Sequence, residues 1–259
     1  MGEDECAVLL MFAYLLVYHG SRDRRPGECA YQLARLAADR LPECALASAA
    51  ALELHPLPLH EQIAEFADRA VAAGCDRVRI LPLFLLAGVH ACEDIPEEVA
   101  TATKRCRIPL DMLSYLGSHK DMAALLAEKM AASPQVEAWV LVSHGSRRHR
   151  SNEAIAQLSQ QVGDRVDRPV VAAFWSGDGD LETRIGEWVD RGHQQIGILP
   201  YFLFSGGITE AIAESVRSLG TAFPQVQLTL AEPLGVDEGL VHLVVDFAGD
   251  SILDWGFKG

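Results

Sequence analysis

The sequence has no C-x-x-C pair, no basic stretch near its start and no apolar run long enough to span a bilayer. Its six cysteines, Cys6, Cys29, Cys44, Cys75, Cys92 and Cys106, all fall in the first half. Without paired spacing they argue against a zinc knuckle or a Cys-ligated iron–sulfur cluster. Reduced thiols in a cytoplasmic or plastid-stroma-like compartment are expected instead. A spanning helix needs about 20 apolar residues, and a secretory leader needs a basic n-region. The run from Ala7 to Tyr18, after MGEDEC, meets neither condition and is expected to be a buried first strand of a protein that is not exported. Basic residues are scarce too: 22 against 36 acidic, a net charge of −14. Such a surface repels nucleic acid and anionic lipid, so neither is an expected partner. An anionic ligand would need a local basic patch. With 49% hydrophobic and 22% charged residues, the composition is that of a folded globular chain.

What is present is a duplication. LLVYHGSRDRR, Leu15 to Arg25, recurs as VLVSHGSRRHR, Val140 to Arg150. ALELHPLPLHEQI, from Ala51, matches AFWSGDGDLETRI, from Ala173; RILPLFLLAGVH, from Arg79, matches GILPYFLFSGGI, from Gly197. Leu116-Gly117 answers Leu234-Gly235. Four anchors in one order define a repeat. Within each copy, short apolar runs alternate with segments of helical spacing. Strands are expected near 13–18, 46–54, 78–86 and 109–115, then near 138–143, 169–175, 195–203 and 226–230. Helices in the first copy are expected over Glu28–Leu41, His60–Ala73, Pro96–Lys104 and Lys120–Ala131. Alternation of this kind implies a parallel sheet with helices on both faces. The fold class is therefore α/β, as two tandem doubly wound domains, residues 1–133 and 134–259, divided near Ser133-Pro134.

Parallel sheets bind ligands outside the carboxyl ends of their strands. His19, Glu53 and His90 each stand at or just past such an end, and the cleft between two repeats is the natural pocket. His19-Gly20-Ser21 sits on the turn after the first strand, where glycine permits a tight turn and serine can cap a helix. An isolated HGS reads equally well as a plain turn, and its repeat at His144 does not alter that. His90 closes the run ILPLFLLAGV, and the acids Glu93 and Asp94 suit a helix start without further function. Two imidazoles at neighbouring strand ends make a borderline-soft site for divalent iron, cobalt, nickel or zinc. Glu53 interrupts the apolar SAAALEL; an acid there is either functional or on the solvent side of an alternating strand.

The second copy diverges where it matters, with Trp175 answering Glu53 and Ile208 or Gly207 answering His90. Only His144 survives, so this copy is expected to form a wall of the pocket. Arginines cluster after each HGS: Arg22, Arg24 and Arg25, then Arg147, Arg148 and Arg150. Each set lies near a helix N-terminus, which favours carboxylates. Six arginines on two equivalent loops of an acidic protein suggest an anion-binding rim.

LVYHGSRDRR, ALELHPLPLHEQI and above all LPLFLLAGVHACEDIP resemble the sirohydrochlorin chelatases, the class II chelatases that include cobaltochelatase and the siroheme ferrochelatase. The resemblance covers nearly the whole chain and matches the long two-repeat form. It implies a lyase that inserts a divalent metal into sirohydrochlorin, with His19 and His90 handling metal and Glu53 as the accompanying carboxylate. Tyr18, Ser21, Arg22, Arg24, Arg25, Gly88, His144, Ser146, Arg147, Arg148 and Trp175 are the expected substrate-contacting set. No cofactor is expected to stay bound, because Fe2+ or Co2+ is itself a substrate. Some long members carry a histidine-rich stretch or cysteine cluster near the C-terminus, and GDSILDWGFKG has neither, which favours iron and siroheme over cobalt and cobalamin. The rivals are a carrier of metal or tetrapyrrole without turnover, and a histidine phosphatase. The latter needs an arginine where Tyr18 stands. A monomer and a homodimer are both compatible with the sequence.

Overall fold

The structure, a computed structural model, describes residues 10–145, 149–176 and 180–249. In the first repeat, β1 (Phe12–Tyr18), β2 (Cys44–Ala51), β3 (Arg77–Pro82) and β4 (Leu110–Met112) alternate with α1 (Arg25–Ala38), α2 (Leu59–Ala72), α3 (Ile95–Thr103) and α4 (Met122–Ala131). The second repeats the plan with β5 (Ala138–Ser143), α5 (His149–Val166), β6 (Val170–Phe174), α6 (Leu181–Asp190), β7 (Gln195–Pro200), α7 (Gly207–Ala222), β8 (Gln227–Leu230) and α8 (Glu238–Gly249).

Each repeat forms a four-stranded parallel sheet, ordered β2-β1-β3-β4 and β6-β5-β7-β8. The central strands are continuously apolar because helices cover both faces: β1 is FAYLLVY with all but its last residue buried. α1 buries Ala30, Leu33, Ala34 and Ala37, the i, i+3, i+4, i+7 stripe that turns one helical face to a sheet. This is the expected α/β architecture. The strand order also fixes a crevice. The chain leaves β1 in one direction to build β2 and returns past β1 to build β3, so ligands belong at the carboxyl ends of β1 and β3.

The repeats share one core. Leu16, Leu33 and Leu81 of the first belong to the same buried cluster as Trp139, Leu141 and Leu199 of the second. α8 contributes Leu240, Val241, Leu243 and Val244 to it and packs across α1. Its far end reaches the first sheet, where Arg79 and the Tyr14 hydroxyl both donate to the Ala248 carbonyl. Ion pairs Lys129–Asp237 and Arg40–Glu238, both at 2.6 Å, fix its beginning to the first repeat.

Several strands end earlier than expected, β4 at Met112 and β7 at Pro200 among them. β2 stops at Ala51 and β3 at Pro82, so Glu53 and residues 83–89 lie in loops beyond the sheet. β3 pairs with β4 only over Val78–Ile80 and with β1 as far as Val17↔Pro82, so it ends level with the end of β1.

Candidate active site

β1 ends at Tyr18, and the chain turns sharply at Gly20, whose φ of +96° L side chains rarely adopt. A Cβ on Gly20 would stand 2.0 Å from the Glu53 carbonyl oxygen. Only glycine lets the two loops run this close. They are then stitched together, Leu52 N–H donating to the Tyr18 carbonyl at 2.8 Å and Glu53 N–H to the His19 carbonyl at 2.9 Å. Glu53 is exposed, two residues past the strand. It is thus on the solvent side, beyond the strand rather than within it, and no burial of charge has to be compensated. Its carboxylate has no hydrogen-bond or ionic partner among the described residues.

His90 arrives by another route. Leu83 N–H still reaches the Val17 carbonyl, and Gly117 N–H the Phe84 carbonyl, which tie the loop after β3 back to the sheet. The chain then enters a π-helical turn, His90–Asp94, that leads into α3. His90 therefore opens a helix eight residues beyond β3 rather than ending a strand. The π turn sets its ring 4.8 Å from that of His19, centroid to centroid, at 83°. Phe84 backs both, 6.2 Å from each, within the range of attractive ring contacts.

The ring nitrogens can be sorted by what they touch. His19 Nδ1 lies 3.3 Å from the Gly20 carbonyl, which can only accept, so Nδ1 carries the proton. His90 Nδ1 lies 2.6 Å from Asp94 Oδ2, again an acceptor. In both rings Nε2 is left with no partner among the described residues. Two imidazoles are thus placed edge to face, each with its Nε2 lone pair free for a metal ion. The Glu53 carboxylate does not close on them as a third ligand. The one trio of His, Cys, Asp or Glu donor atoms within 4.8 Å of one another, among the described residues, is His119, Asp121 and Asp246. That trio is already satisfied, since His119 Nε2 bonds Asp246 at 3.0 Å while its Nδ1 accepts the Asp121 N–H.

The expected rim is placed unevenly. Ser21 does not cap α1. Its Oγ accepts the Asp23 N–H at 3.0 Å in a tight local turn, and α1 starts at Arg25 with no side-chain cap. Arg22 and Arg24 are exposed without ionic partners among the described residues. Arg25 is not free: it pairs with Asp23 and, across the repeats, with Glu210, both at 2.6 Å. The Arg25 guanidinium holds the Asp23 carboxyl below the usual carboxylate range. Tyr18 is half-buried with its hydroxyl over Gly27 of α1, and burial raises its pKa. Gly88 lies two residues before His90, its N–H on the Leu86 carbonyl. Ser146, Arg147 and Arg148 lie outside the described residues.

A cavity of 740 Å³ opens between the repeats. Leu85, Leu86 and Ala87, just ahead of His90, form one wall; Tyr115, Ser118 and Lys120 form a second, and Arg150, Gln157 and Gln161 of α5 a third. Neither His19, Glu53 and His90 nor His144 and Trp175 line it. Trp175 packs against the core beneath the second sheet. The backbone ladder also corrects the pairing of copies. Trp175 N–H donates to the Ser143 carbonyl, and Ser176 N–H to the His144 carbonyl. Glu53 is therefore answered by Ser176, and Trp175 by Leu52. Leu83 and Tyr201 make equivalent bonds to Val17 and Val142, which sets His90 against Ile208, exposed to 39%.

Sequence reasoning missed Phe84 and Asp94. Phe84 lay inside an apolar run with nothing to single it out. The i, i+4 spacing of His90 and Asp94 was visible, but it was read as a helix start.

A duplicated, doubly wound α/β scaffold with paired imidazoles at one strand-order crevice defines a two-repeat α/β protein with a candidate metal site. A profile of the CbiX family matches residues 13–133 and 138–250. The chain belongs to the CbiX family. It is 26% identical over 257 residues to a sirohydrochlorin ferrochelatase of Priestia megaterium, covering 90% of this chain and 88% of that one. A sirohydrochlorin cobaltochelatase of Priestia megaterium is 22% identical over 199 residues, 71% of this chain and 64% of that one. Among solved structures, SirB from Bacillus subtilis with Fe3+ has a TM-score of 0.76 at 20% identity, over 92% of this chain and 94% of that chain. That likeness is one of fold. No helix among the described residues is long and apolar enough to cross a membrane.

Proposed function

We infer that this chain is a sirohydrochlorin chelatase that inserts Fe2+ into the macrocycle to give siroheme. The observation that carries this reading is the pair of imidazoles 4.8 Å apart, both with Nδ1 engaged and Nε2 free. A divalent ion must shed water before it enters a tetrapyrrole, and imidazole nitrogens replace water without holding the ion irreversibly. The macrocycle must lose its inner pyrrole protons as the metal binds, which calls for a base beside the ring. Glu53, exposed on the loop bonded to that of His19, is the group we assign to this role. A ring held off-planar would turn its lone pairs toward the metal, binding energy used in the direction of the transition state. The metal is a substrate, so no bound cofactor is required.

Sirohydrochlorin is a polycarboxylate, and Arg22, Arg24 and Arg150 are the guanidiniums we assign to it. Arg150 lines the cavity that begins three residues before His90. In this reading residues 1–133 carry the chemistry and 134–259 supply the opposing wall. Cys29, Cys44, Cys75, Cys92 and Cys106 are all unpaired, which supports a reducing, cytoplasmic setting.

One assay tests the activity. Purified protein is mixed with anaerobic sirohydrochlorin and either Fe2+ or Co2+, and the absorption change is followed with time. Product in excess of protein is expected, faster with Fe2+; a plateau at one equivalent would refute turnover in favour of a carrier. A higher rate with Co2+ would reassign the metal. His19→Ala and His90→Ala should each lower the rate by about 10²-fold or more, and His144→Ala only severalfold. The opposite pattern would put the site in the other repeat.

A further inference from the structure

We propose that Asp94 is a positioning residue, fixing the His90 ring as the Nδ1–H tautomer so that Nε2 faces the metal. The proposal rests on the assignment of His90 to metal handling, and three observations carry it. His90 Nδ1 and Asp94 Oδ2 are 2.6 Å apart, a short, charge-assisted hydrogen bond. The two residues are the first and last of a π-helical turn, a rare local widening found mostly at functional sites. The next residue, Ile95, is fully buried, so the carboxylate is carried on a backbone that the core anchors.

The physical logic concerns orientation. A neutral imidazole in water favours the proton on Nε2, the nitrogen that a metal would need bare. His19 solves this with a backbone carbonyl, which is always an acceptor. His90 has no such carbonyl at its Nδ1 and takes a side chain instead. A carboxylate bonded to Nδ1–H both selects the tautomer and stops rotation of the ring, as outer carboxylates do for metal-ligating histidines generally. Asp94 would touch neither metal nor macrocycle.

The test reads the tautomer directly. Histidine in the full chain is labelled with ¹⁵N, and long-range proton–nitrogen correlations are recorded near pH 8, roughly 1.5 units above the ordinary imidazole pKa. His90 is identified by the signal missing in His90→Ala. The wild type should show His90 protonated on Nδ1, and Asp94→Ala should move it to the Nε2–H form while the other histidine signals stay in place. Affinity for Co2+ alone should fall about tenfold to a hundredfold in Asp94→Ala, with partial return in Asp94→Glu. An Nε2–H His90 in the wild type would overturn the proposal, and that spectrum needs no variant to fold. So would an unchanged tautomer in Asp94→Ala, or Co2+ affinity within twofold of wild type. If the tautomer behaves as expected but sirohydrochlorin is not turned over, the chelatase reading fails and the role of Asp94 stands.

Discussion

Replacing Gly20 by alanine separates backbone collision from backbone strain, because Gly145 provides a matched control. Both glycines occupy positive φ, +96° and +85°, so a Cβ at either pays a similar conformational penalty, about 1–2 kcal/mol. Their surroundings differ. At Gly20 the new carbon would be 2.0 Å from the Glu53 carbonyl oxygen and 2.8 Å from its carbon, and neither atom can move without dragging the loop. At Gly145 the nearest atom is Ser176 Oγ at 2.9 Å, which can rotate, followed by Phe174 Cβ at 3.1 Å. Gly20→Ala should therefore also break the 2.9 Å bond from Glu53 N–H to the His19 carbonyl, for about 1 kcal/mol more, plus the displacement of both loops. We expect a loss of about 2–4 kcal/mol for Gly20→Ala and about 1–2 kcal/mol for Gly145→Ala, measured by urea denaturation with unchanged slope. Chelation should fall far more in the first variant, because the same shift moves His19 and Glu53 apart. Equal losses in stability would refute the collision argument, and a stable, fully active Gly20→Ala protein would refute the placement of both residues.

The rim arginines should divide by their present partners. Arg22→Ala and Arg24→Ala should raise the KM for sirohydrochlorin, by about threefold to tenfold for an exposed charge-assisted contact, with kcat little changed. Arg25→Ala, which removes pairs to Asp23 and Glu210, should leave KM near wild type; a large KM effect there would show that the ion pairs open on binding. Acid should loosen α8 through Asp246, whose carboxyl is held below the usual 3.8 by Lys120 and, secondarily, His119. A depressed carboxylate stabilises above that ordinary value and ceases to as pH falls through its folded value. Asp246→Asn should thus be less stable than wild type near neutral pH, by under about 1 kcal/mol for so exposed a pair, and the gap should close below pH 3.8. A gap that widens in acid would overturn that linkage.

The alternation of elements was legible in the sequence because parallel sheets demand continuous apolar strands: FAYLLVY and AWVLVS could hardly be anything else. The limits of strands were less so. ILPLFLLAGV reads as one long strand, yet β3 ends at Pro82, level with the end of its pairing to β1 at Val17, a tertiary fact with no local signal. The mispairing of Glu53 with Trp175 has the same origin. Alignment by eye matched bulk to bulk, whereas register is set by which amide meets which carbonyl. The exchange of α8 onto the first repeat was invisible too, since its apolar positions look alike whichever sheet they cover. His19, Glu53 and His90 were singled out from residue type and position, and their roles from the family resemblance. What the sequence could not convey was that Asp94 bonds His90, because an acid at a helix start already has a sufficient explanation in the helix dipole.

Duplication frames the proposal that the site lies in the first repeat. Two equivalent crevices at the β1/β3 and β5/β7 switch points start with the same HGS turn and the same ladder bonds, so the scaffold offers both. Among the substitutions that distinguish them are Glu53 against Ser176, His90 in its π turn against Ile208 in the α-helix α7, and Leu83 against Tyr201. The last inserts a fully buried ring whose hydroxyl, its pKa raised by burial, reaches the Leu85 carbonyl of the first repeat at 3.4 Å. Tyr201 therefore joins the second repeat to the loop that carries His90 and forms part of the wall of the 740 Å³ cavity. On the far side, Arg25 crosses to Glu210 at the N-terminal turn of α7. The second repeat thus keeps His144 but has Ile208 where His90 stands, and through Tyr201 it holds the loop that leads to His90.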